Sequence, residues 1–321
     1  MLSPKPFVKW AGGKGQLLPQ LDGLLPNRLA ERKGFTYIEP FVGGGAMLFH
    51  MLQKFPNISH VIINDINPHL MTAYEVVKDH ADELIDRLKE LEHRYLTLES
   101  EEGRKRFFLD ARETFNEHEL NKIERTKYLI CLNRTCFNGL YRVNGRGKFN
   151  VPFGRYAHPT ICNEEVIIAD STALNRVDVT MLTGDFEQTL NHVGEGYSFF
   201  YLDPPYRPLS ATSSFTSYAK EDFDDSEQIR LRDFCIRLHD RLGINWMLSN
   251  ADCSAKNPED TFFEDIYADF FINRVYASRA INANPSKRGK LTELLICNYR
   301  TEVYGAFAAE GIEPFNNAIY V

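Results

Sequence analysis

Apolar positions in this chain fall into short runs that are separated by longer stretches of mixed polarity. The short runs are rich in Val, Ile, Leu, Phe and Tyr and stop at acids, glycines or prolines, which is the pattern of buried β-strands. The strands predicted in this way cover residues 34–41, 60–65, 177–182, 197–202, 244–250 and 291–298.

The order of elements near the start of the chain predicts the fold class. The first strand leads into a glycine turn at residues 42–45, the apolar segment 46–55 predicts a packed helix, and the second strand ends at Asp65. Strand, glycine turn, helix and strand form the βαβ order of a parallel, doubly wound sheet. We therefore predict an α/β protein with a Rossmann-like sheet.

A helical block interrupts this alternation. From residue 81 apolar residues recur on one helical face, and the helical pattern continues to about residue 132. The turn signal Asn144–Gly147 then separates two short strand-like runs, which predicts a basic β-hairpin. Further on, Asp225–Ser226 predicts the N-cap of a helix that Gly243 ends.

These patterns divide the chain into three predicted parts. Residues 1–70 and 165–300 form a discontinuous catalytic domain, residues 71–164 form a target-recognition domain with the hairpin, and residues 301–321 form a C-terminal tail.

Composition is that of a globular protein, with 321 residues of which 43% are hydrophobic and 25% charged. The formal net charge of −7 argues against a polyanionic partner, but local counting reverses this inference. Residues 125–163 contain seven Lys and Arg and no acid, and residues 270–292 form a second basic, acid-free window. Two such windows in an acidic protein predict a localised phosphate-binding surface, with chance clustering on a solvated surface as the alternative.

Other features narrow the class of protein. No stretch approaches the roughly 18 apolar residues of a membrane span, so no membrane partner is expected and the chain is interpreted as cytoplasmic. The six cysteines are scattered without metal-ligand spacing, so free thiols and no metal site are expected.

The glycine turn and Asp65 predict a site for an adenosine-containing cofactor. Gly43–Gly45 open a helix where a ligand can approach the backbone, and Asp65 follows about 20 residues later at a strand end, where a carboxylate accepts hydrogen bonds from ribose. Because Leu48 occupies the last glycine position of a dinucleotide fingerprint, S-adenosylmethionine is favoured over NAD or FAD. A purely structural turn remains an alternative here.

A second glycine turn, Trp10–Lys14, lacks the spacing of a phosphate loop, which argues against ATP. Trp10 suits a sulfonium or aromatic ligand, and Lys14 suits a carboxylate, as in S-adenosylmethionine. A core Trp and a solvated Lys are the simpler alternative.

The run FFYLDPPY, residues 199–206, ends a predicted strand in residues that form no regular structure. Asp203 is an acceptor, Pro204 and Pro205 fix the backbone and donate no hydrogen bond, and Tyr206 offers a flat face for a heterocycle. Such acceptors suit an exocyclic ring amine, whose delocalised lone pair must be directed toward a methyl donor. A structural Pro-Pro turn is the competing interpretation.

With these residues in place the sequence resembles the Dam and DpnII-type DNA adenine-N6 methyltransferases, which act on GATC. The resemblance runs from about residue 6 to residue 299, nearly the whole chain, and its motif order is similar to that of the alpha group of amino-methyltransferases. It is carried by the segments FVKWAGGK (7–14), EPFVGGG (39–45), NDIN (64–67), NRTCFNGLYRVNGRGKFNVPFGRY (133–156), DPPYRPLSATSSFTSY (203–218), LSN (248–250) and RAINANPSKRGKLTELL (279–295).

The resemblance implies a methyltransferase sheet with a helical, hairpin-bearing recognition insert, and it implies roles for individual residues. Asp203, Pro204, Pro205 and Tyr206 match the catalytic tetrapeptide that grips an adenine flipped from the duplex. The positions that match S-adenosylmethionine-binding residues are Trp10, Lys14, Gly43, Asp65, Phe186 and Asp203.

The same resemblance implies contacts to double-stranded DNA. Lys9 matches a guanine-contacting lysine, and Arg142 suits bidentate contact with a guanine. Phe137 stands where a relative has Tyr, so it lacks the hydroxyl for a hydrogen bond. The remaining implied DNA-binding positions are Arg134, Asn138, Leu140, Asn144, Lys148, Pro152 and Arg155.

The expected partners are double-stranded DNA and, for a restriction–modification enzyme, a companion restriction endonuclease. Two alternatives stay open at this point. One is another amino-group methylation, on cytosine N4 or a glutamine amide, against which DPPY rather than SPPY or NPPY argues. The other is a non-catalytic DNA-binding protein of the same fold.

Overall fold

The computed structural model of the protein describes residues 3–209, 223–277 and 291–301. Parts of two motif segments, residues 210–218 and 279–290, lie outside the described residues, as does the predicted tail from residue 302. The basic residues of the second charge window at 279, 287, 288 and 290 also lie outside them.

A mixed seven-stranded sheet forms the centre of the fold, in the order β3-β2-β1-β4-β5-β7-β6. Neighbours β2 and β3, β1 and β4, and β4 and β5 are parallel, whereas β7 lies antiparallel to both β5 and β6. The strands are β1 Phe35–Glu39, β2 Ile58–Asp65, β3 Asp178–Thr183, β4 Ser198–Leu202, β5 Asn245–Ala251, β6 Phe271–Ala277 and β7 Leu291–Cys297. The predicted α/β class is confirmed.

Helices connect and flank the strands. Five helices follow β2 before the chain returns to the sheet at β3: a block of four, α3 to α6, and then α7 after the hairpin turn. The helices are α1 Leu18–Asp22, α2 Ala46–Lys54, α3 Pro68–Asp79, α4 Ala81–Leu96, α5 Glu101–Glu117, α6 Lys122–Thr135, α7 Glu164–Asn175, α8 Asp225–Leu242 and α9 Phe262–Ile266. Short 3-10 turns lie at Leu29–Glu31, Phe137–Gly139 and Phe186–His192.

The predicted strands agree with the structure to within two residues at their ends. Strand β6 and helix α7 were not predicted. The N-cap of α8 was placed one residue too late, because the side chain of Asp224 accepts the N–H groups of Ser226 and Glu227. The predicted end at Gly243 is confirmed, since this residue takes a left-handed conformation with a φ of 60°.

The predicted hairpin is shorter than a pair of strands. Val143 and Phe149 form a single antiparallel bridge, and Asn144 N–H donates to the Lys148 carbonyl at 2.9 Å. Phe149 is buried while most residues of the turn are exposed and polar, so little apolar surface supports a longer ladder. The segment therefore forms a turn with one bridge rather than two strands.

The chain divides into two compact units, residues 1–13 with 42–189 and residues 14–41 with 190–321. The first holds β2, β3, α2 to α7 and the hairpin turn, and the second holds β1, β4 to β7 and α8. Fully buried aromatics mark both cores, such as Tyr74 and Phe108 in the first and Trp246 and Phe234 in the second. The functional division into catalytic and recognition domains stays a prediction.

In the first unit, the N-terminal segment is fixed by side chains of two helices. Lys5 N–H donates to Asp170 Oδ1 of α7 at 2.9 Å, and Arg134 of α6 donates to the Phe7 carbonyl at 2.7 Å. Phe7 packs edge-on against Tyr74 with ring centroids 5.1 Å apart. These contacts set the position of the residues that follow, up to Trp10.

All six cysteines are free thiols. In the described ranges, no group of three or more His, Cys, Asp or Glu side chains is arranged to hold a metal ion. No helix among the described residues combines the length and the apolar character needed to cross a membrane.

Asp170 makes the stability of the first unit depend on pH. Its side chain is fully buried, Oδ2 has no hydrogen-bond partner among the described residues, and burial raises the pKa of Asp170 from 3.8 to about 8. The folded protein therefore binds a proton that the unfolded chain releases, so the free energy of unfolding should fall as the pH rises from 3.8 to about 8.

We expect Asp170→Asn to flatten this pH dependence and to stabilise the protein at pH values above 8 by about 1–3 kcal/mol, because the amide cannot ionise and so removes the buried charge, although its own NH2 group stays unpaired. Urea unfolding on both sides of the transition measures it, with the exposed Asp86→Asn as control. Equal pH dependence in parent and Asp170→Asn would contradict the assignment.

Candidate active site and nucleic-acid interface

Asp65 ends β2 and is bound by the backbone on both sides. Its Oδ2 accepts the Gly43 N–H at 3.1 Å, and its Oδ1 accepts the Asn67 N–H at 2.9 Å. Burial raises the pKa of Asp65, and these two hydrogen bonds oppose the rise. Since each carboxylate oxygen can accept more than one hydrogen bond, the fixed side chain keeps the capacity to accept a ligand hydroxyl.

The glycine turn beside Asp65 is closely approached by two aromatic side chains of the first unit. Gly43 and Gly45 have φ values of 49° and 77°, in the left-handed region. A Cβ at Gly43 would lie 3.0 Å from Cδ1 of Trp10, and one at Gly45 would lie 2.4 Å from the Tyr74 hydroxyl. The missing side chains thus make room for Trp10 and Tyr74.

Trp10 lies between this turn and Tyr141, which belongs to the segment after α6 in the first unit. Its indole stacks on Tyr141 with ring centroids 5.5 Å apart and an interplanar angle of 24°. The Tyr74 hydroxyl donates to the Gly43 carbonyl at 2.9 Å. The first unit therefore brings together three of the predicted cofactor residues, Trp10, Gly43 and Asp65.

Two apolar side chains lie just after β2 and β3 in the first unit. Ile66, directly after Asp65, is 76% exposed, an unusual position for an isoleucine. Phe186, the predicted adenine-stacking residue, is only 3% exposed and begins the 3-10 turn after β3. Ile66 is the better-exposed apolar surface, and sequence reasoning missed it.

In the second unit, an ion pair lies directly after β4. Lys14 Nζ is 3.0 Å from Asp203 Oδ1, and the side chains are 5% and 22% exposed. Burial raises the pKa of Asp203 above its usual 3.8, and Lys14 lowers it again. Sequence analysis placed both residues in the site, and the structure brings them into direct contact.

The two prolines after Asp203 differ in their hydrogen bonding. Gln228 of α8 donates through Nε2 to the Pro205 carbonyl at 2.9 Å, and its Oε1 accepts from Asn250 of β5 at 3.0 Å. Within the described residues, no hydrogen bond reaches the Pro204 carbonyl. Of the two carbonyls freed by proline, the one beside Asp203 is therefore the available acceptor.

Arg207 fixes the end of the same turn. Its guanidinium binds Asp225 through Nε at 2.7 Å and Asp260 through Nη1 at 2.6 Å. The backbone N–H of Arg207 donates to Asn250 Oδ1 at 3.3 Å. The turn from residue 203 to 207 is thus attached to α8, β5 and the segment before α9.

Tyr206 contacts two charged side chains. Its hydroxyl donates to Glu293 Oε2 of β7 at 2.8 Å, and Lys14 Nζ lies 4.5 Å from the centre of its ring. The same Glu293 oxygen is 3.9 Å from Lys14 Nζ. Glu293 was not predicted as a site residue, although it lies in one of the resembling segments.

A further pair of buried polar groups belongs to β1. The Tyr37 hydroxyl donates to the Glu39 carboxyl, and both side chains are at most 2% exposed. Burial raises the pKa of both groups well above their usual values. Burial also raises the pKa of Asp203, but there Lys14 opposes the rise.

Within the first unit, Lys9 is held next to the segment after α6. Asn133, which is buried, accepts the Lys9 N–H and donates to the Lys9 carbonyl, both at 2.8 Å, and it also donates to the Gly139 carbonyl. A Cβ at Gly139 would lie 2.5 Å from Lys9 Cδ, so the lysine side chain lies across this glycine. The exposed Lys9 and the loop after α6 form one surface.

Aromatic and amide groups continue this surface. Phe137 is 52% exposed, and Asn138 is exposed with a φ of 55°. The Asn138 N–H donates to the Tyr156 hydroxyl at 3.3 Å, and Lys9 Nζ lies 5.3 Å from the centre of the Tyr156 ring. An exposed cation, an amide and an aromatic side chain together suit contacts to base edges.

Residues 142–150, which form the hairpin turn, make hydrogen bonds mainly with each other. Arg142 donates through Nε to Asn150 Oδ1 at 2.6 Å, and Asn144 Oδ1 accepts the N–H groups of Arg146 and Lys148. Arg142 is thus oriented by Asn150 on the opposite side of the turn. Asn144 shapes the turn as its sequence predicts.

Acidic residues outside the basic window offset part of its charge. Lys148 Nζ binds both carboxylate oxygens of Glu117, at 2.6 and 2.7 Å, and Arg155 lies 3.6 Å from Glu101. Both acids belong to α5. Counting charges within the window alone therefore overestimated its positive potential.

Three other predicted DNA-binding residues differ in their exposure and in their contacts within the protein. Pro152 is exposed, and its carbonyl accepts the Phe137 N–H at 2.8 Å. Leu140 is half-buried, and its carbonyl accepts from the Cys136 thiol. Arg134 binds the Phe7 carbonyl, so the structure gives it a contact within the protein.

The sheet topology and the turn after β4 define an α/β protein of the amino-group methyltransferase class. Asp203 and the Pro204 carbonyl are acceptors next to a tyrosine ring, at the carboxyl end of a parallel strand, where open α/β sheets bind substrates. The first unit adds a fixed carboxylate at the end of β2 and a surface with exposed basic and aromatic side chains.

Comparison with known proteins agrees with this class. Residues 10–281 match the model of the D12 class N6 adenine-specific DNA methyltransferases, and the chain belongs to this family. It is 48% identical over 298 residues to the Type II methyltransferase M.MjaIII of Methanocaldococcus jannaschii, covering 92% of this chain and 99% of that protein.

Two further relatives have the same extent. The Type II methyltransferase M1.LlaDCHI of Lactococcus lactis is 38% identical, covering 92% of this chain and 95% of that protein. The DNA adenine methylase of Escherichia coli K12 is 32% identical with the same two coverages. The protein is an enzyme that methylates adenine N6 in DNA.

The role of Lys14 leads to a prediction on pH dependence. Since Lys14 lowers the pKa of Asp203, Lys14→Met should raise that pKa further. If ionised Asp203 is the working form, the acid limb of the single-turnover methylation rate will shift to higher pH by about one unit, a typical effect of a close opposite charge.

The measurement uses saturating cofactor and DNA, so that weaker binding does not affect the rate. Lys122→Met, which removes an exposed lysine paired with Glu75, serves as the control and should leave the limb in place. An unshifted limb in Lys14→Met would show that Asp203 is not the group that titrates.

The ion pair between Lys148 and Glu117 leads to a prediction on DNA binding. Glu117→Gln should release Lys148 for phosphate contact, raise affinity for any duplex about two- to fivefold, and steepen the salt dependence by about one counterion. Filter binding or fluorescence anisotropy at several salt concentrations measures both effects.

The exposed Glu119→Gln is the matched control, because it makes the same charge change two residues away. Adding Lys148→Ala should abolish the gain. An equal gain in Glu119→Gln would mean that overall charge, and not the release of Lys148, is responsible.

Proposed function

We propose that the enzyme transfers the methyl group of S-adenosylmethionine to N6 of an adenine that is flipped out of duplex DNA, in the sequence 5′-GATC-3′. The observation that carries this proposal is the turn after β4. There Asp203 is supported by Lys14 at 3.0 Å and the Pro204 carbonyl is left as a second acceptor.

These two acceptors suit the two hydrogens of the adenine amine. Hydrogen bonds to both hydrogens favour the arrangement in which the nitrogen lone pair is directed out of the ring system, toward the incoming methyl carbon. The N–C bond would form as the S–CH3 bond of the cofactor breaks, which leaves S-adenosylhomocysteine. The nitrogen then loses one proton, and Asp203 is the acceptor next to it. Tyr206 supplies the ring on which the flipped base stacks.

The cofactor assignment rests on each unit separately. In the first unit, Asp65 at the end of β2 suits ribose hydroxyls, Trp10 suits an aromatic or sulfonium group, and Ile66 offers an apolar face for adenine. Lys14 in the second unit suits the cofactor carboxylate. S-adenosylmethionine supplies the methyl group when it is bound.

The same assignment gives the two remaining predicted residues smaller parts. The Gly43 N–H already donates to Asp65, so we propose that Gly43 shapes the turn around the methionine end of the cofactor. Phe186 is buried, so we propose that it packs behind the residues that contact the cofactor adenine and does not contact the adenine itself. Asp203 serves both the cofactor side and the amine.

The proposed specificity for GATC rests on the surface of the first unit that Lys9 and the segment after α6 form. Lys9, Asn138, Leu140, Arg142 and Pro152 match the positions at which similar enzymes read bases, and the exposed Phe137 suits insertion into the base stack. Arg155 and Lys148 are proposed to contact phosphates, which adds affinity without sequence preference. Asn144 keeps the turn in shape.

The experiment for the proposed function compares two duplexes that differ only at the GATC site, with labelled S-adenosylmethionine as donor. We expect incorporation into the GATC duplex alone, N6-methyladenine as the only modified nucleoside, and a loss of more than a hundredfold in Asp203→Ala. Asp225→Ala, which affects the turn without changing an acceptor, controls for disruption of the fold.

Equal incorporation into both duplexes would reject the specificity for GATC and leave the adenine methylation intact. Methylated cytosine would reject the assignment of the amine. No incorporation from S-adenosylmethionine would reject the cofactor.

Two of the relatives are Type II methyltransferases, and this supports a further part of the proposal. The enzyme would protect DNA against a companion restriction endonuclease that cuts at the same site.

A further inference from the structure

Glu293 is a charged side chain on β7 that none of the roles above requires. In the register of the sheet it lies opposite Ala251 of β5 on one side and Val275 of β6 on the other. Its side chain is 18% exposed. Glu293 thus lies among strands that are otherwise largely apolar. Burying a carboxylate there costs free energy unless the carboxylate is paired or hydrogen-bonded.

Two interactions of Glu293 involve the proposed catalytic turn. Its Oε2 accepts the Tyr206 hydroxyl at 2.8 Å, and the same oxygen lies 3.9 Å from Lys14 Nζ. Lys14 in turn lies 4.5 Å from the centre of the Tyr206 ring. The tyrosine is thus fixed at its hydroxyl by Glu293 and contacted on its ring by Lys14.

The arrangement has an electrostatic cost for Asp203. Glu293 is one of the groups that raise the pKa of Asp203, because two carboxylates near one lysine repel each other. A hydrogen bond from a phenol to a carboxylate is charge-assisted and stronger than a neutral one. The hydrogen bond from Tyr206 therefore offsets the cost of placing the Glu293 carboxylate near Asp203.

We propose that Glu293 is a positioning residue for methyl transfer, which fixes the plane of the Tyr206 ring by holding its hydroxyl. A tyrosine side chain has two rotatable bonds, and stacking of a flipped base requires one orientation of the ring. The proposal rests on the proposed function in one respect, the assignment of Tyr206 as the stacking residue.

Three variants separate this role from the alternatives. Glu293→Gln keeps an oxygen that accepts the tyrosine hydroxyl but removes the charge, Glu293→Leu removes both, and Tyr206→Phe removes the hydroxyl and keeps the ring. Thermal unfolding of each variant shows whether it is folded. Tyr206→Phe is nearly the same size as the parent, so it tests the bond even where Glu293→Leu fails to fold.

For the positioning role, the single-turnover methylation rate should fall about tenfold in Glu293→Leu and in Tyr206→Phe, since misplaced reacting groups cost one to two orders of magnitude. Glu293→Gln should recover most of the rate. In the Tyr206→Phe background, Glu293→Leu should change the rate less than twofold, and the dissociation constant of S-adenosylmethionine should stay within twofold throughout.

Two outcomes would overturn the proposal. If Glu293→Leu lowers the rate by the same factor with and without the Tyr206 hydroxyl, the acid does not act through Tyr206. If Glu293→Gln is as damaging as Glu293→Leu and cofactor binding weakens, the charge acts on Lys14 instead.

A second readout does not depend on the reaction. With 3-fluorotyrosine incorporated, the ¹⁹F resonance assigned to Tyr206 by its loss in Tyr206→Phe should shift in Glu293→Leu and much less in Glu293→Gln. A shift in an enzyme that fails to methylate DNA would reject the proposed function and keep the contact. An unshifted resonance in an active enzyme would reject the contact and keep the function.

Discussion

The contact between Lys14 and Asp203 is the constraint on which the catalytic turn depends. A lysine that is 5% exposed needs a carboxylate beside it, and Asp203 at 3.0 Å provides one. The prolines that follow hold the backbone in an irregular conformation, so the carboxylate stays at the end of β4. Burial raises the pKa of Asp203, and the charge of Lys14 opposes this rise and so favours the ionised carboxylate, which can accept hydrogen bonds.

The turn is held mainly by side chains from outside it. Gln228 occupies the Pro205 carbonyl, and Arg207 connects the end of the turn to Asp225 and Asp260. These contacts leave the Pro204 carbonyl as the acceptor within the described residues. The two proline carbonyls are chemically equal, and Gln228 of α8 determines which of them is available by binding the other. Supporting side chains of this kind commonly set the geometry of a site.

Much of the sheet could be predicted from the sequence, because its strands are apolar runs that end at acids. Asp65 and Asp203 were placed correctly at the ends of β2 and β4 by this reasoning. Strand β6 was missed because Arg274 and Asn273 interrupt its apolar pattern, and the surrounding residues had been interpreted as a basic window. Helical periodicity was likewise sufficient for α4, whose apolar face is buried.

Contacts between distant segments could not be predicted in the same way. Glu293 reaches Tyr206 because β7 pairs with β5 in antiparallel orientation, and no local pattern carries that register. Glu117 neutralises Lys148 from a different helix, which charge counting within a window does not detect. The close approach of Trp10 and Tyr74 to the glycines of the turn before α2 is likewise a contact between distant segments that the glycine pattern does not reveal.

The charges around Tyr206 also bear on the proposed reaction. Asp203 and Glu293 place two carboxylates near one ammonium group, Lys14, so the turn has an excess of negative charge. During methyl transfer the adenine amine becomes positively charged before it loses its proton. Negative charge that is already oriented at that place stabilises the developing cation without further reorganisation. Burial is the main cause of the raised pKa of Asp203, and repulsion from Glu293 adds to it. The positive charge that develops on the amine would offset this repulsion, so the arrangement favours the transition state over the ground state.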